Sequence, residues 1–223
     1  MRRVYVYKGF ERFWHWTQAS LIIFLALTGF EVHGTFHIWG FEHAARFHRV
    51  ASWMLIGLIV FAVFWHFVTG EWKQYLPTTK KLMEQIRFYS IGMFKGEKHP
   101  TKKTEVKKLN PLQRLVYLGF KLVLVPVTVI SGILYMFHKT IDRNDIVVVS
   151  DIPLQSIALW HTLGAILLMV FLVVHVYMTT TGHTPTSNIQ AMITGYEDLE
   201  DEEDEIDFEV TGNTSKKTVK TTT

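Results

Sequence analysis

The chain has 223 residues, a formal net charge of +3 and no cysteine. The lack of cysteine excludes disulfides, c-type haem attachment, iron–sulfur clusters and thiolate zinc sites in this sequence. Any redox centre held by it would need histidine or methionine ligands. Hydrophobic residues make up 48% of the chain, a share that a water-soluble domain can also have, so local windows decide the class of protein.

Four stretches of the sequence are long and apolar enough to cross a membrane. A helix needs roughly 20 apolar residues for this, and the third stretch alone has a charged residue away from its ends, Lys121. Runs such as LIIFLALTGF would be apolar on every face of a helix, which no water-soluble helix needs. We therefore predict an all-α integral membrane four-helix bundle in residues 13–182, with spans at about 13–32, 49–69, 112–137 and 156–181.

Charge predicts the orientation of these spans. The loop 70–110 holds ten Lys or Arg and four Asp or Glu, and such loops stay on the cytoplasmic side. The basic N-terminal segment 1–12 is expected on the same side and to remain attached, because no small-residue cleavage site follows the first apolar run. With four spans, both termini are then cytoplasmic.

The last part of the chain, 183–223, is predicted to be an acidic, disordered tail. Its stretch 197–209 carries ten acidic residues and no basic one, which is typical of a solvated extension. A docking role for the tail is the alternative. Within the inner loop, the stretch 78–94 is predicted to form an amphipathic helix on the membrane surface.

Histidines within the spans are candidates for function, because ionisable groups are expensive inside a bilayer. His161 and His175 are 14 residues apart on the fourth span, which is close to four whole helical turns and roughly 21 Å. They therefore share one face and lie at opposite membrane levels. His15 enters the first span at its inner end, and His48 enters the second at its outer end.

The topology pairs these histidines. His15 and His175 are expected at the inner level, and His48 and His161 at the outer level. A six-coordinate haem iron needs two opposed imidazoles, so the pattern predicts two b haems. Gly29, Gly119 and Gly132 lie at these levels and would let a haem approach the backbone, although plain helix packing explains glycines equally well. For the histidines the alternatives are packing, a proton relay or a metal site. A zinc site requires its ligands close together, whereas these histidines form two well-separated pairs.

The sequence resembles a known family in three of its spans. RFWHWTQASLIIFLALTG is similar to the first helix of the bacterial two-haem cytochrome b subunits of formate dehydrogenases, nickel–iron hydrogenases and thiosulfate reductases. FHRVASWMLIG resembles their second helix, and LWHTLGAILLMVFLVVHVYM their last, with two ligand histidines at this spacing. The similarity covers about residues 10–182 and assigns the same two histidine pairs to the inner and outer haems.

The resemblance also implies a quinone pocket beside the inner haem. Formate dehydrogenase relatives have an Asn-x-x-Gln motif ahead of the third helix, and KLNPLQRLVYL offers Asn110 and Gln113. The match departs at Leu112, where the family motif has glycine. His66 lies on the same helix face as His48, five turns further towards the inner side. There it would hold a haem propionate, exchange a quinone proton, replace one of the proposed ligands or contact headgroups.

The resemblance implies a multi-pass subunit of the bacterial inner membrane, surrounded by lipid. It would transfer electrons between a quinone, menaquinone or ubiquinone, and an extracytoplasmic redox subunit. That partner would be a multihaem cytochrome, a molybdenum enzyme, a hydrogenase or an iron–sulfur protein, and no nucleic acid is expected. The alternative is a stand-alone cytochrome b that oxidises superoxide and reduces quinone.

Other polar residues near the span ends have simpler interpretations. Arg12 and Arg114 lie at inner helix ends, where they would pair with haem propionates or reflect the positive charge of that side. His33, His37 and His43 form an outer cluster in which a metal site is conceivable.

Overall fold

The computed structural model describes residues 2–97, 100–101, 108–143 and 152–199, with the backbone alone for 139–143. Helix α1 runs over Gly9–Val32 and α2 over Phe41–Thr69. A 3₁₀ turn at Glu71–Tyr75 and the short helix α3, Leu82–Arg87, follow. Helix α4, Pro111–Gly119, continues through a π turn into α5, Val125–Arg143. The last long helix, α6, is Leu154–Thr179, and the short helix α7 is Ser187–Thr194.

Three of the described helical stretches are long and apolar enough to cross a membrane: Phe41–Thr69, Pro111–His138 and Leu154–Thr179. Helix α1 has the length, but its first turns contain Glu11, Arg12 and Gln18, which lower its mean hydropathy. By composition the structure therefore has three candidate spans where the sequence predicted four.

The long helices are arranged as two pairs. Helix α1 packs along α2, and α5 packs along α6. The second pair approaches closely at Gly164, where a side chain would collide with Thr128. Few close backbone contacts join one pair to the other among the described residues. Histidine rings from the two pairs meet across their boundary, as described below.

The turn between α1 and α2 is closed by one buried carboxylate. Glu31 Oε1 accepts hydrogen bonds from the backbone N–H groups of Ile38, Trp39 and Gly40, at 2.9, 2.7 and 2.7 Å. Gly40 adopts a positive φ of 83° and precedes the first residue of α2. Helix α2 therefore begins at Phe41, eight residues before the predicted start of the second span at 49.

The π turn in the third long helix has a local cause. It covers Phe120–Leu124 and is followed directly by Val125 and Pro126. Proline has no backbone N–H to give to the preceding turn, and a π turn is a common adjustment in such a helix. The turn contains Lys121, the one charged residue that the sequence placed within a span.

Both ends of the described chain meet in a two-stranded antiparallel sheet. Strand β1, Arg2–Tyr5, pairs with β2, Tyr196–Leu199. Helix α7 lies against α1, because Arg12 Nη1 donates to the carbonyl of Ile193 at 2.6 Å. The prediction of a disordered tail over 183–223 is thus wrong for 187–199, where backbone pairing orders the chain. Residues from 200 onward, with most of the acidic stretch, lie outside the described residues.

The predicted amphipathic helix at 78–94 is shorter in the structure. Helix α3 covers only Leu82–Arg87 and passes into a π turn at Phe88–Gly92 and a 3₁₀ turn at Met93–Lys95. Nearby, four charged residues join the starts of α1 and α4 to the end of α2. Lys108 pairs with Glu11 at 2.9 Å and with Glu71 at 3.8 Å, and Lys8 pairs with Glu71 at 2.7 Å.

Candidate functional site

The four histidines predicted from the sequence form two pairs of neighbouring rings. The rings of His15 on α1 and His175 on α6 have centroids 6.1 Å apart. The rings of His48 on α2 and His161 on α6 have centroids 6.2 Å apart. The spacing in α6 puts both of its histidines on one face, and the antiparallel course of α1 and α2 supplies one partner at each end.

This separation fits a haem iron between each pair of rings. Metal–imidazole bonds are about 2 Å long, and each ring centroid lies about 1 Å behind its nitrogen, so two opposed ligands place their centroids about 6 Å apart. The donors are also of the right chemistry, since two imidazoles are ligands that b-type haem iron accepts.

The outer pair is oriented by hydrogen bonds at Nδ1. Thr28 donates its hydroxyl hydrogen to Phe24 O at 2.9 Å, which leaves its oxygen to accept from His48 Nδ1 at 3.0 Å. His161 Nδ1 donates to the carbonyl of Thr128 at 3.0 Å, with Ser131 Oγ at 3.5 Å. Because both Nδ1 atoms donate, both Nε2 atoms keep a lone pair for a metal.

Two of the three predicted glycines lie directly against the outer histidines. A Cβ at Gly29 would lie 3.3 Å from His48 Cε1, and one at Gly132 would lie 2.9 Å from His161 Cε1. These glycines therefore make room for the imidazole rings themselves, whereas the sequence analysis expects them to make room for the haem macrocycle. A Cβ at Gly119 would meet nothing within 4 Å among the described atoms.

The inner pair is held mainly by aromatic rings. Phe171 stacks on His175 with centroids 5.7 Å apart and an angle of 11° between the planes. The Tyr117 hydroxyl lies 3.5 Å from His175 Nδ1. The Nδ1 atom of His15 is buried and has no hydrogen-bond partner in the described part of the chain, while Trp16 contacts its ring edge-on at 5.2 Å.

His66 lies in a separate polar cluster near the inner pair. Its Nδ1 donates to the carbonyl of Ala62 at 2.6 Å, so its Nε2 accepts from the Tyr75 hydroxyl at 3.3 Å. Lys121 Nζ lies 3.5 Å from the same Nε2. The ring of Trp14, next to His15 in the chain, is 5.4 Å from the His66 ring. His66 thus adjoins the inner level.

Burial and nearby charges favour the neutral form of Tyr75 and the ionised form of Glu71. Burial, with a smaller contribution from Glu11, raises the pKa of Tyr75 above its ordinary value. Partial burial would raise the pKa of Glu71, but the hydrogen bond from Lys8 and the charge of Lys108 outweigh it and hold that pKa below its ordinary value. Tyr75 therefore remains a hydroxyl donor at neutral pH.

Asn110 and Gln113 have a structural role in the described contacts. Asn110 Oδ1 accepts from Gln113 N at 2.8 Å, and Gln113 Oε1 accepts from Asn110 N at 3.0 Å, which is a capping box at the start of α4. Asn110 Nδ2 also donates to the Tyr89 hydroxyl at 3.0 Å. Among the described residues, no hydrogen bond or ring contact joins either side chain to His66.

The other three histidines on the outer side, His33, His37 and His43, do not form a metal site with further ligands among the described residues. No group of three or more His, Cys, Asp or Glu side chains suited to a metal ion occurs in the ranges that the structure describes. Glu31, beside His33 and His37 in the sequence, is used for the backbone hydrogen bonds of the turn.

Sequence reasoning missed the residues that orient the histidines. Thr28, Ser131, Tyr117 and Tyr75 were not singled out, because their roles depend on how the helices pack. One signal was present: two of the predicted glycines directly follow a hydroxyl residue, in Thr28-Gly29 and Ser131-Gly132. In each case the hydroxyl lies near Nδ1 of the histidine that the glycine accommodates.

Comparisons with known proteins find similar chains described as bacterial cytochromes or cytochrome subunits. Cytochrome YdhU of Escherichia coli (strain K12) is 28% identical over 87% of this chain and 74% of its own length. A "Probable Ni/Fe-hydrogenase B-type cytochrome subunit" of Rhizobium leguminosarum bv. viciae is 28% identical over 90% of this chain and 91% of its own. One of the same description from Azotobacter vinelandii is 27% identical over 89% and 90%.

No solved structure matches the chain. The model of the family described as prokaryotic cytochrome b561 matches residues 6–195, which include all four paired histidines. Together with the apolar helices, this match makes the protein a membrane cytochrome of b type, for which the family implies b-type haem and electron transfer. The chain belongs to the prokaryotic cytochrome b561 family.

Proposed function

We propose that this protein is the membrane subunit that carries electrons between a quinone and an extracytoplasmic redox partner through two b haems. His15 and His175 would hold the inner haem, and His48 and His161 the outer one. The observation that carries the proposal is the pair of ring separations, 6.1 and 6.2 Å. Two such pairs on one face of α6 are what a two-haem relay requires.

The proposal includes a fourth span. Helix α1 has 24 residues, about 36 Å at 1.5 Å per residue, and it packs along α2 over its length. Its polar first turns lie in the same end of the bundle as the Lys108 ion pairs, where headgroups and water would solvate them. With α1 as a span, both termini and the basic loop 70–110 lie on the cytoplasmic side, as the charge bias favours.

The protein's own residues orient the haem ligands and exclude water. Each haem, when bound, accepts and returns one electron. Thr28 and the carbonyl of Thr128 hold the outer imidazoles with Nε2 directed away from the hydrogen-bonded Nδ1. Phe171 holds the inner imidazole of His175 by stacking. Apolar outer faces of the helices keep the relay within lipid.

We assign the quinone to the inner level, where polar side chains would supply its protons. Reduction of a quinone takes two protons with two electrons, so a polar route to water is needed. His66 and Tyr75 are hydrogen-bonded to each other, and the charges of Glu11 and Glu71 at the base of the bundle act on both. Asn110 and Gln113 lie at the start of α4, where they would border the pocket through their backbone and cap geometry.

We assign the partner to the outer level because the proposed quinone pocket occupies the inner one. Similar chains of nearly equal length are described as Ni/Fe-hydrogenase B-type cytochrome subunits. A hydrogenase or another extracytoplasmic oxidoreductase would exchange electrons with the haem between His48 and His161. The exposed Ile38 and Phe41 beside this end offer apolar surface for such a subunit.

The decisive experiment is haem quantitation on the purified protein. A reduced-minus-oxidised spectrum with pyridine haemochrome analysis is expected to give two b haems per chain. A single haem would overturn one of the two sites, and the absence of a b-type spectrum would overturn the proposal. Purification in mild detergent then separates a subunit from a stand-alone cytochrome, because a subunit brings down a stoichiometric oxidoreductase.

A further inference from the structure

Lys121 stands out as a cation within a membrane-spanning helix. It lies in the π turn of the third long helix, and its Nζ is 3.4 Å from the centroid of the Tyr75 ring and 5.3 Å from that of Trp14. The third neighbour is His66 Nε2 at 3.5 Å. Two aromatic faces and one imidazole lone pair therefore stabilise the ammonium and fix its position.

This ammonium has no anionic partner in the described part of the chain. No carboxylate there lies within ion-pair distance of Lys121. Glu11 and Glu71, whose charges act on the neighbouring His66, are paired with Lys108 and Lys8. A charged side chain within a span is costly unless an opposite charge compensates it, so the position calls for an anion brought by a ligand.

The inner haem site lies next to this ammonium. Tyr117, whose hydroxyl is 3.5 Å from His175 Nδ1, is one helical turn before Lys121 on the same helix. On the opposite side of the pair, Trp14 adjoins His15 in α1 and faces the ammonium. A b haem carries two propionate carboxylates at its edge, which reach several ångströms beyond the ring.

The arginines that the sequence offers for this role each donate to a backbone carbonyl of the protein. Arg12 donates to the carbonyl of Ile193 at 2.6 Å, and Arg114 Nε donates to the carbonyl of Leu109 at 3.2 Å. The first contact joins α1 to α7, and the second is local to the start of α4. Lys121 lies against Trp14, which adjoins His15, and one turn after Tyr117, which lies near His175.

We propose that Lys121 binds a propionate of the inner haem and that His66 and Tyr75 position its ammonium. The proposal rests on the inner haem of the proposed function. The ammonium compensates the carboxylate, and its charge also favours the reduced iron, because an added electron is stabilised by a nearby positive charge. Lys121 therefore sets the inner haem at a higher potential than its ligands alone would give.

The test is a redox titration of the purified two-haem protein with Lys121→Met and Lys121→Arg. Lys121→Met is expected to lower the reduction equilibrium constant of one haem component about tenfold and to leave the other component in place. Lys121→Arg keeps the charge and is expected to restore most of the shift. Lys73→Met is the matched control, because it removes the same charge from an exposed residue of the inner side.

A second measurement identifies the bond itself. In redox-difference infrared spectra of protein loaded with haem carrying ¹³C-labelled propionates, Lys121→Met is expected to shift the carboxylate bands, and Lys73→Met is not. An unchanged potential and unchanged labelled bands in Lys121→Met would overturn the inference. If Lys121→Met keeps the wild-type potential and bands but no longer binds a quinone analogue, Lys121 serves the quinone and the inference is likewise overturned.

Failure of the inference is distinct from failure of the proposed function. If wild-type protein lacks the inner haem, the proposed function fails before Lys121 is tested. If wild-type protein binds two haems and Lys121→Met loses the inner one, the labelled bands of Lys121→Arg decide: bands as in wild type support the propionate contact, and altered bands contradict it.

Discussion

The outer and inner histidine pairs have nearly the same ring separation, 6.2 and 6.1 Å, but different surroundings. The outer pair is fixed by hydrogen bonds to Thr28 and to the carbonyl of Thr128, and two glycines touch its rings. The inner pair is bordered by aromatic rings and by a cluster that contains a lysine, a histidine and a tyrosine. Packing and backbone contacts hold one pair, whereas polar and charged groups adjoin the other.

This difference fits the two tasks of the proposed relay. Electron exchange with a protein partner needs a rigid site and no proton, which hydrogen-bonded imidazoles in a tightly packed end provide. Quinone chemistry needs protons, and the inner cluster lies within reach of the charges of Glu11 and Glu71 at the base of the bundle. In the proposed relay, the two ends of one bundle would thus differ in task although their ligands are the same.

Removal of one ligand from each pair gives the largest expected effect. His161→Ala is expected to lose the outer haem and keep the inner one, and His175→Ala to do the reverse, because each α6 histidine faces a different partner. Haem content and the redox titration of each variant measure this. His183→Ala, an exposed histidine after α6, is the control and should keep both haems. Loss of the inner haem in His161→Ala would refute the pairing.

A methyl group against an outer histidine is expected to have the next largest effect. In Gly132→Ala the new Cβ would lie 2.9 Å from His161 Cε1, so the ring has to move and the outer haem content falls. Gly57→Ala, in the middle of α2 with nothing within 4 Å of its Cβ, should leave both haems bound and stabilise the helix slightly. Gly29→Ala, at 3.3 Å from His48 Cε1, should lie between these two variants.

The same glycine variants test the comparison between the two ends. An outer haem retained at full occupancy in Gly132→Ala would mean that the outer pair is as adaptable as the inner one. The measured quantity is the ratio of the two haem components in the reduced spectrum. Loss of both haems together would instead point to unfolding, which circular dichroism of the purified variant distinguishes.

The histidine pairs were readable from the sequence because they follow from helix geometry. A spacing of 14 residues within one apolar run fixes the relation of His161 to His175, and the order of the spans assigns His15 and His48 to opposite ends. The structure has the rings in these pairs. Their role as haem ligands stays a prediction.

Other features depend on contacts between distant segments, which a pattern does not show. Strand β2 forms because Tyr196–Leu199 pairs with Arg2–Tyr5 from the other end of the chain. The acidic composition of this segment predicts disorder, because composition does not show a pairing partner so distant in the sequence. The early start of α2 depends on Glu31 closing a turn seven to nine residues later. The capping box of Asn110 and Gln113 has a local pattern, since Asn-Pro-x-Gln is a helix-start signal, but the family resemblance implies only a quinone pocket for these residues.

The hydroxyl of Thr28 offers the finest test of the outer site. Its oxygen accepts from His48 Nδ1, and this hydrogen bond makes the imidazole a stronger donor to ferric iron. In Thr28→Val the bond is lost with little change of shape, so the outer haem is expected to become easier to reduce. The shift should be about two- to tenfold in the reduction equilibrium constant, which corresponds to a net hydrogen bond of about 0.5–1.5 kcal/mol.

A redox titration of Thr28→Val measures this shift, and Thr69→Val is the control. Thr69 makes the same backbone bond, to Trp65 O at 2.8 Å, and has no histidine contact among those described. The shift in Thr28→Val should affect the outer component alone and have the opposite sign to that in Lys121→Met, since one removes electron density from a ligand and the other removes a positive charge. Equal shifts of both components would show that the ends do not act separately.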